Sequence, residues 1–219
     1  MILSHQTSFK PQLDSNFLQQ KEYLELYSKG EEISLGNGGF YQVYRGVVQL
    51  NKVNPMNSEQ QKAITIAAQE TVVGWVTANH TFGHACNNSG RNYRAIALSD
   101  VYLRYYDLSQ VKRSPRLARL LVSELSYRLL KSEQMVEINL IRRVEDRLEA
   151  LLQLFKEDLG TAIGSEQNKH GVRLTARFTH QNLADAICTT RVTITRILGE
   201  WQAKNLIEFD CDRHLIIKF

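Results

Sequence analysis

The chain has 219 residues, 43% of them hydrophobic and 23% charged, with a formal net charge of +4. These are ordinary globular values for one large domain or two modest ones, and 12 Gly with 3 Pro exclude a chain dominated by linkers or low-complexity sequence. No run of about 18 apolar residues occurs, which excludes a membrane-spanning helix, and the N-terminus lacks the charged-then-apolar pattern of a secretion signal, so a cytoplasmic protein is expected.

The first half reads as strands. Ile33–Leu35, Tyr41–Val47, Val47–Val53, Ile64–Ala67, Val72–Val76, Tyr93–Leu98 and Val101–Tyr105 are short, rich in β-branched or aromatic residues, and separated by turn residues such as Gly30, Gly36, Gly38, Gly39 and Gly46. Residues 54–61 form a polar hairpin loop. Many short strands at close spacing predict a sandwich or a small barrel-like roll.

The texture changes at Ser114-Pro115, a helix start with a capping hydroxyl and a first-turn Pro. No Gly or Pro follows until Gly160. Leu117, Leu120, Leu121, Leu125, Leu129, Met135, Val136 and Leu140 recur at helical spacing. A single helix over this stretch would reach about 60 Å, too long for a compact domain, so a break is expected near Asn139–Arg142. That gives one helix from Pro115 to about Leu140 and a second over Val144–Asp158, with Leu148, Leu151, Leu152 and Phe155 on one side. Two seven-residue series, Leu121/Arg128/Met135 and Leu125/Ser132/Asn139, mark a candidate dimer seam through Leu121, Leu125, Arg128, Ser132 and Met135. Residues 161–172 read as a polar connector. Beyond it come Arg173–Ala176, helices over Gln181–Ile187 and Arg191–Lys204, and a hairpin of Glu208–Phe209 with Leu215–Phe219.

Residues 178–207, FTHQNLADAICTTRVTITRILGEWQAKNLI, carry the most specific pattern. Thr179 caps a first helix whose apolar face is Leu183, Ala184 and Ile187. Residues 188–190 form the turn, and Thr190 caps a second helix. In it Ile194, Ile197, Leu198 and Trp201 point inward, while Arg191, Val192, Thr193, Thr195 and Arg196 stay outside. This is a helix-turn-helix whose second helix is free to enter a major groove. Arg donates two hydrogen bonds to guanine, Thr hydroxyls suit phosphates, and Val192 suits a thymine methyl. Gln181 and Thr189 join Thr179, Thr190 and this outer face as candidate DNA contacts. The charge agrees mildly: residues 1–109 are net neutral, and the whole excess lies beyond them.

From here the sequence resembles the superfamily of the cyclic-AMP receptor protein and the fumarate–nitrate regulators (Crp-Fnr). TTRVTITRILGEWQAKNLI is similar to its recognition helix, and the order roll, long helix, winged helix-turn-helix matches from about Gly30 onward. The resemblance implies an α+β fold: an antiparallel β-roll like a cyclic-nucleotide-binding domain over 1–113 with an N-terminal extension, a dimerisation helix over 114–140, and a winged helix-turn-helix over 141–219. It implies a homodimeric transcription regulator that binds double-stranded DNA and works with RNA polymerase, with Arg191, Val192 and Arg196 reading bases. Within the superfamily, Arg191-Val192 with Arg196 resembles the cyanobacterial global nitrogen regulator branch, for which a palindrome of GTA and TAC half-sites is implied. VVGWV (Val72–Val76), RNYRAIAL (Arg91–Leu98) and SYRLLKSEQMVE (Ser126–Glu137) resemble that branch as well. They place Val73, Gly74, Trp75, Val76, Arg91, Arg128 and Glu133 at effector positions, and the implied effector is 2-oxoglutarate. A dicarboxylate suits two Arg clamps.

Other readings remain open beside this one. A cyclic nucleotide is an alternative effector, although the Gly-Glu cassette that its pocket needs is missing before Arg91. An effector-independent regulator is a further alternative. Cys86, Cys188 and Cys211 are too few and too scattered for a disulfide framework or an iron–sulfur cluster. His80, His84 and Cys86 lie close in sequence but read as a polar loop rather than a metal site. No phosphate loop, nucleophile elbow or His-Glu-x-x-His motif suggests an enzyme.

Overall fold

A computed structural model describes residues 24–35, 38–53, 70–84, 93–165 and 168–219. The expected strand at 64–67, the loop at 54–61 and Arg91 lie outside the described residues.

Eight strands come first: β1 (Glu25–Tyr27), β2 (Glu32–Ile33), β3 (Gly39–Arg45), β4 (Val48–Val53), β5 (Glu70–Val76), β6 (Thr81–His84), β7 (Tyr93–Ala97) and β8 (Val101–Asp107). They form two four-stranded antiparallel sheets, ordered β1-β8-β3-β6 and β2-β7-β4-β5. Strand alternation turns one side of each sheet inward. Val43, Val48, Leu50, Val76, Phe82, Ala97, Val101 and Leu103 are buried together between them. Gly46, at φ +98°, makes the tight turn that carries β3 over into the second sheet as β4. A Cβ there would overlap the Asp100 carbonyl. The expected β-roll is present. β1, β6 and the short helix α1 (Leu108–Arg113) are additions to the sequence reading. They are only 3, 4 and 6 residues long, too short for a periodic signal.

Helix α2 spans Pro115–Leu140, with the Ser114 side chain accepting from the Leu117 N–H and Pro in its first turn. Two stripes run along it. Leu117, Leu121, Glu124, Met135 and Ile138 are buried against the protomer, whereas Val122, Leu125, Leu129, Leu130, Val136 and Leu140 are exposed. The expected seam therefore needs correction. Leu121 is 4% exposed and Met135 5%, both packed within their own protomer. Leu125 and Ser132 lie on the exposed side, and Arg128 is half-buried. The apolar residues of α2 supply two heptad-like stripes one residue apart, and periodicity alone does not say which one faces inward.

The chain breaks at 141–143 and continues as α3 (Val144–Leu159), whose Leu148, Leu151, Leu152 and Phe155 are buried as expected. The connector reading of 161–172 is wrong. β9 (Gly160–Ser165) and β10 (Asn168–Leu174) form an antiparallel hairpin there. β9 is an edge strand with Thr161 and Ala162 exposed and Ile163 only half-buried, so it shows no apolar alternation for the sequence to betray. Helices α4 (His180–Ala186) and α5 (Arg191–Ala203) follow, then β11 (Ile207–Phe209) and β12 (Leu215–Ile217), completing a third sheet ordered β11-β12-β10-β9. Leu151, Phe155, Leu183, Ile187, Ile197, Leu198 and Trp201 meet in one core with Met135 and Ile138 of α2. Among the described residues, no helix is long and apolar enough to cross a membrane.

Candidate DNA interface and ligand cleft

The helix-turn-helix is built by caps and a small-residue crossing. The Thr179 hydroxyl accepts from the Asn182 N–H, and the Asn182 amide oxygen accepts from the Thr179 N–H, a reciprocal box that starts α4. Cys188 takes φ +52° in the turn, and the Thr189 N–H donates to the Ala184 carbonyl at 2.9 Å. Thr190 caps α5 by accepting from the Thr193 N–H at 3.2 Å. Ala184 is fully buried where the two helices meet, and Ile194, Ile197, Leu198 and Trp201 fill the inner side of α5.

The outer side of α5 is free. Arg191, Val192, Thr195 and Arg196 are exposed, Val192 at 79%. An exposed aliphatic side chain flanked by two guanidinium groups suits a groove floor better than water. Arg196 holds Glu200 at 2.5 Å, one turn on, which extends its side chain along the helix surface. The Thr195 hydroxyl donates to the Arg191 carbonyl and lies 2.8 Å from His180 Nδ1. Burial, and then the nearby Arg191 charge, lower the His180 pKa below its ordinary value. Thr179, Gln181 and Thr190 are exposed beside this face; Thr189 and Thr193 are half-buried. Gln181 bonds Asp185 at 2.6 Å. The expected DNA-contact residues thus share one surface, but the hydroxyls of Thr179, Thr190 and Thr195 already serve caps or backbone.

A second feature lies between β5, α2 and α3. Val73, Gly74, Trp75 and Val76 line one side of a cleft, and Arg128 and Ser132 of α2 line the other. Gly74 sits at φ +150° beside a bulge in the β4–β5 ladder, with open space where a Cβ would be. The guanidinium of Arg128 makes no hydrogen bond or ion pair among the described residues. Burial lowers its pKa, partly offset by Tyr93 and Glu124. A half-buried cation without a partner costs free energy that an anionic ligand would return.

Five of the expected effector residues, Val73, Gly74, Trp75, Val76 and Arg128, are therefore brought together. Glu133 is not: it is exposed and outside this cleft. Glu133 lies five residues beyond Arg128, which turns it toward the exposed side of α2 instead. The sequence reading missed His80, Tyr127, Lys131 and Asp158, which also line the cleft. His80 stacks on Tyr127 with ring centroids 4.4 Å apart, and Glu124, 4% exposed, accepts from the Thr81 N–H at 3.1 Å. The signal for Tyr127 and Lys131 was their helical neighbourhood to Arg128. Nothing local marked His80 or Asp158.

A family profile described as a Crp-like helix-turn-helix domain matches residues 146–218. The chain is similar to the global nitrogen regulator of Nostoc sp., 31% identical over 175 residues, covering 76% of this chain and 71% of that protein. The same holds for the global nitrogen regulator of Synechocystis sp., with the same identity and coverage. Among solved structures, FixK2 from Bradyrhizobium japonicum superposes with a TM-score of 0.69 at 18% identity, covering 90% of this chain and 93% of that one. A CRP-family transcriptional regulator from Thermus thermophilus superposes with a TM-score of 0.67 at 15% identity, covering 89% and 92%. With its exposed recognition face on a Crp-like head and its roll and long helix ahead of it, the chain belongs to the Crp-Fnr family of DNA-binding transcription regulators, close to the global nitrogen regulators.

Proposed function

We propose that this regulator reads a palindromic DNA site as a homodimer, through Arg191, Val192 and Arg196, and that an anion in the cleft controls it. The observation that carries the DNA reading is the exposed row Arg191–Val192–Arg196, held by a buried inner face on the same helix. Thr179, Gln181, Thr189, Thr190, Thr193 and Thr195 surround it and serve as phosphate contacts and supports. The residues of the branch that this chain resembles make GTA and TAC half-sites the first sequences to test. Binding titrations on such a palindrome, against single-base variants, test the assignment. Arg196→Ala should cost about 1–3 kcal/mol and relax one base position. An equal loss on every sequence would sink the base-reading role.

The working division is a roll over 1–113, a dimer helix over 114–140 and a DNA head over 141–219. Val122, Leu129 and Val136 alternate with Leu125, Ser132 and Asn139 at the a and d spacing of a two-stranded coil. In that register Arg128 falls at g and Glu133 at e. Facing g and e positions meet across a parallel seam, which would bring Arg128 near Glu133 of the partner subunit. Glu133 would then complete the cleft from across the dimer. The ligand that fits the Arg128 guanidinium beside an apolar wall of Val73 and Trp75 is a small carboxylate. The resemblance points to 2-oxoglutarate, with Arg91 as a further clamp. Calorimetry with millimolar 2-oxoglutarate, beside cyclic AMP, tests this. Heat that Arg128→Ala abolishes supports it, and heat with cyclic AMP alone overturns it. A regulator with this role works in the cytoplasm, on DNA shared with RNA polymerase.

A further inference from the structure

We propose that Lys131 is a second anion-holding cation on the α2 side of the cleft, beside Arg128, and that its ion pair with Asp158 is a tether between α2 and α3 that the ligand opens. The inference rests on the reading of the cleft as an anion site.

Arg128 and Lys131 both line the cleft, from one face of α2. Positions three apart on a helix have Cβ atoms about 5–6 Å apart, close to the separation of the two carboxylates in a five-carbon dicarboxylate. Arg128 has no hydrogen bond or ion pair among the described residues, and only the more distant Glu124 and Tyr93 act on its charge. Lys131 has an ion pair: its Nζ lies 2.8 Å from Asp158 Oδ1, and neither side chain is more than a quarter exposed. The Tyr127 hydroxyl donates to the same Asp158 oxygen at 3.3 Å, and Lys131 Nζ stands 5.5 Å from the centre of the Tyr127 ring. Asp158 therefore keeps a hydrogen-bond donor when Lys131 leaves.

The charge count of these described lining groups gives the logic. With Lys131 neutralised by Asp158, Arg128 is the one lining cation without an ion pair in its own protomer, and the Glu124 charge already acts on it. A dianion set near the Glu124 carboxylate needs positive charge beyond Arg128 and the proposed Arg91 clamp, and Lys131 is one turn away on α2. Swinging Lys131 from Asp158 onto the ligand exchanges one half-buried ion pair for another and leaves the Asp158 carboxylate with only the Tyr127 hydroxyl, a cost that binding has to meet. The exchange also has a mechanical side. The Lys131–Asp158 pair joins the dimer helix to the last turn of α3, and α3 shares its core with the DNA head. Releasing it would loosen α3 from α2 when the ligand binds, a population shift driven by differential contacts.

The test is calorimetry with 2-oxoglutarate on the full chain and three variants, each checked for folding by thermal unfolding. Arg128→Ala should lose binding. Lys131→Gln should weaken it at least tenfold. Asp158→Asn should tighten it several-fold, because the ligand then has no competitor for Lys131. A purely structural pair would respond the same way when broken from either side, so opposite signs are the signature. Equal affinity in Lys131→Gln and the unchanged chain, with Arg128→Ala inactive, overturns this proposal and leaves the cleft reading standing. No heat from the unchanged chain overturns both. Hydrogen exchange gives the tether its own readout: 2-oxoglutarate should speed exchange at 156–160, as Asp158→Asn does without ligand. Slower exchange there on binding overturns the tether.

Discussion

The indole of Trp75 stands edge-on against the ring of Phe155, with centroids 4.6 Å apart and planes crossing at 87°. Phe155 in turn stacks on Phe178 at 4.4 Å, and Trp75 reaches Phe178 at 6.1 Å. Three rings from β5, α3 and the approach to α4 thus join the wall of the cleft to the DNA head. Close by, the Asn182 amide that boxes the start of α4 also donates to Gln49 of β4 at 3.4 Å.

The Trp75 ring is required and its N–H is not. Trp75 Nε1 is buried with no hydrogen-bond partner among the described residues, a penalty of about 1–3 kcal/mol that the packed ring must outweigh. Trp75→Ala should lower stability by about 3 kcal/mol. Trp75→Phe, which keeps a ring and removes the orphan donor, should cost less than about 1 kcal/mol. Urea unfolding of both variants measures the difference, and a Phe variant as unstable as the Ala variant would contradict this account.

Glu124 ties the roll to α2 by a buried carboxylate. One of its oxygens accepts from the Thr81 N–H and lies 3.1 Å from His80 Nδ1. Glu124→Leu leaves that backbone donor without its acceptor, so a loss of about 1–3 kcal/mol is expected. Glu124→Gln retains an acceptor and should lose clearly less. The comparison needs only chemical denaturation; equal losses would show that the hydrogen bond contributes nothing beyond shape.

The head was legible because its signals are local. Thr179 and Thr190 cap where the sequence put them, and the inner face of α5 holds the expected residues. α2 was legible for the same reason, with Pro115 at its start and a break after Leu140. What the sequence hid was orientation and pairing. The inward stripe of α2 is fixed by the roll packed against it, and the β9–β10 hairpin by its partner β12, neither of which leaves a periodic mark. The cleft was half legible. Arg128 stood out as a charge within an apolar heptad series and Gly74 through the family resemblance of VVGWV, whereas Asp158 reaches the cleft only because α3 folds back along α2.

The two stripes of α2 make opposite predictions. Leu129 is 61% exposed and falls on the proposed seam, so Leu129→Lys should leave folding intact and dissociate the dimer. Leu121 is buried in its own protomer, so Leu121→Ala should lower stability by about 2–5 kcal/mol without changing the oligomeric state. Sedimentation at micromolar concentration, with thermal unfolding, distinguishes them. A Leu129→Lys variant that stays dimeric would move the seam elsewhere.

His180 gives the head a dependence on pH with a definite sign. Its imidazole is disfavoured as a cation in the folded chain, first by burial and then by Arg191, so its folded pKa lies below the ordinary value. The unfolded chain protonates His180 near 6.5. Between that value and the lower folded one, the unfolded state binds more protons, and stability rises with pH. The contribution is therefore complete above about pH 6.5 and is lost as the pH falls through the window beneath it. His180→Gln keeps a polar partner for the Thr195 hydroxyl, 2.8 Å from Nδ1 in the parent, while removing the titration. Urea midpoints at about pH 7.5, 6.5 and 5.5 should fall more steeply for the parent than for the variant on the acid side. Parallel curves would mean that His180 titrates alike in both states and that neither its burial nor Arg191 bears on it.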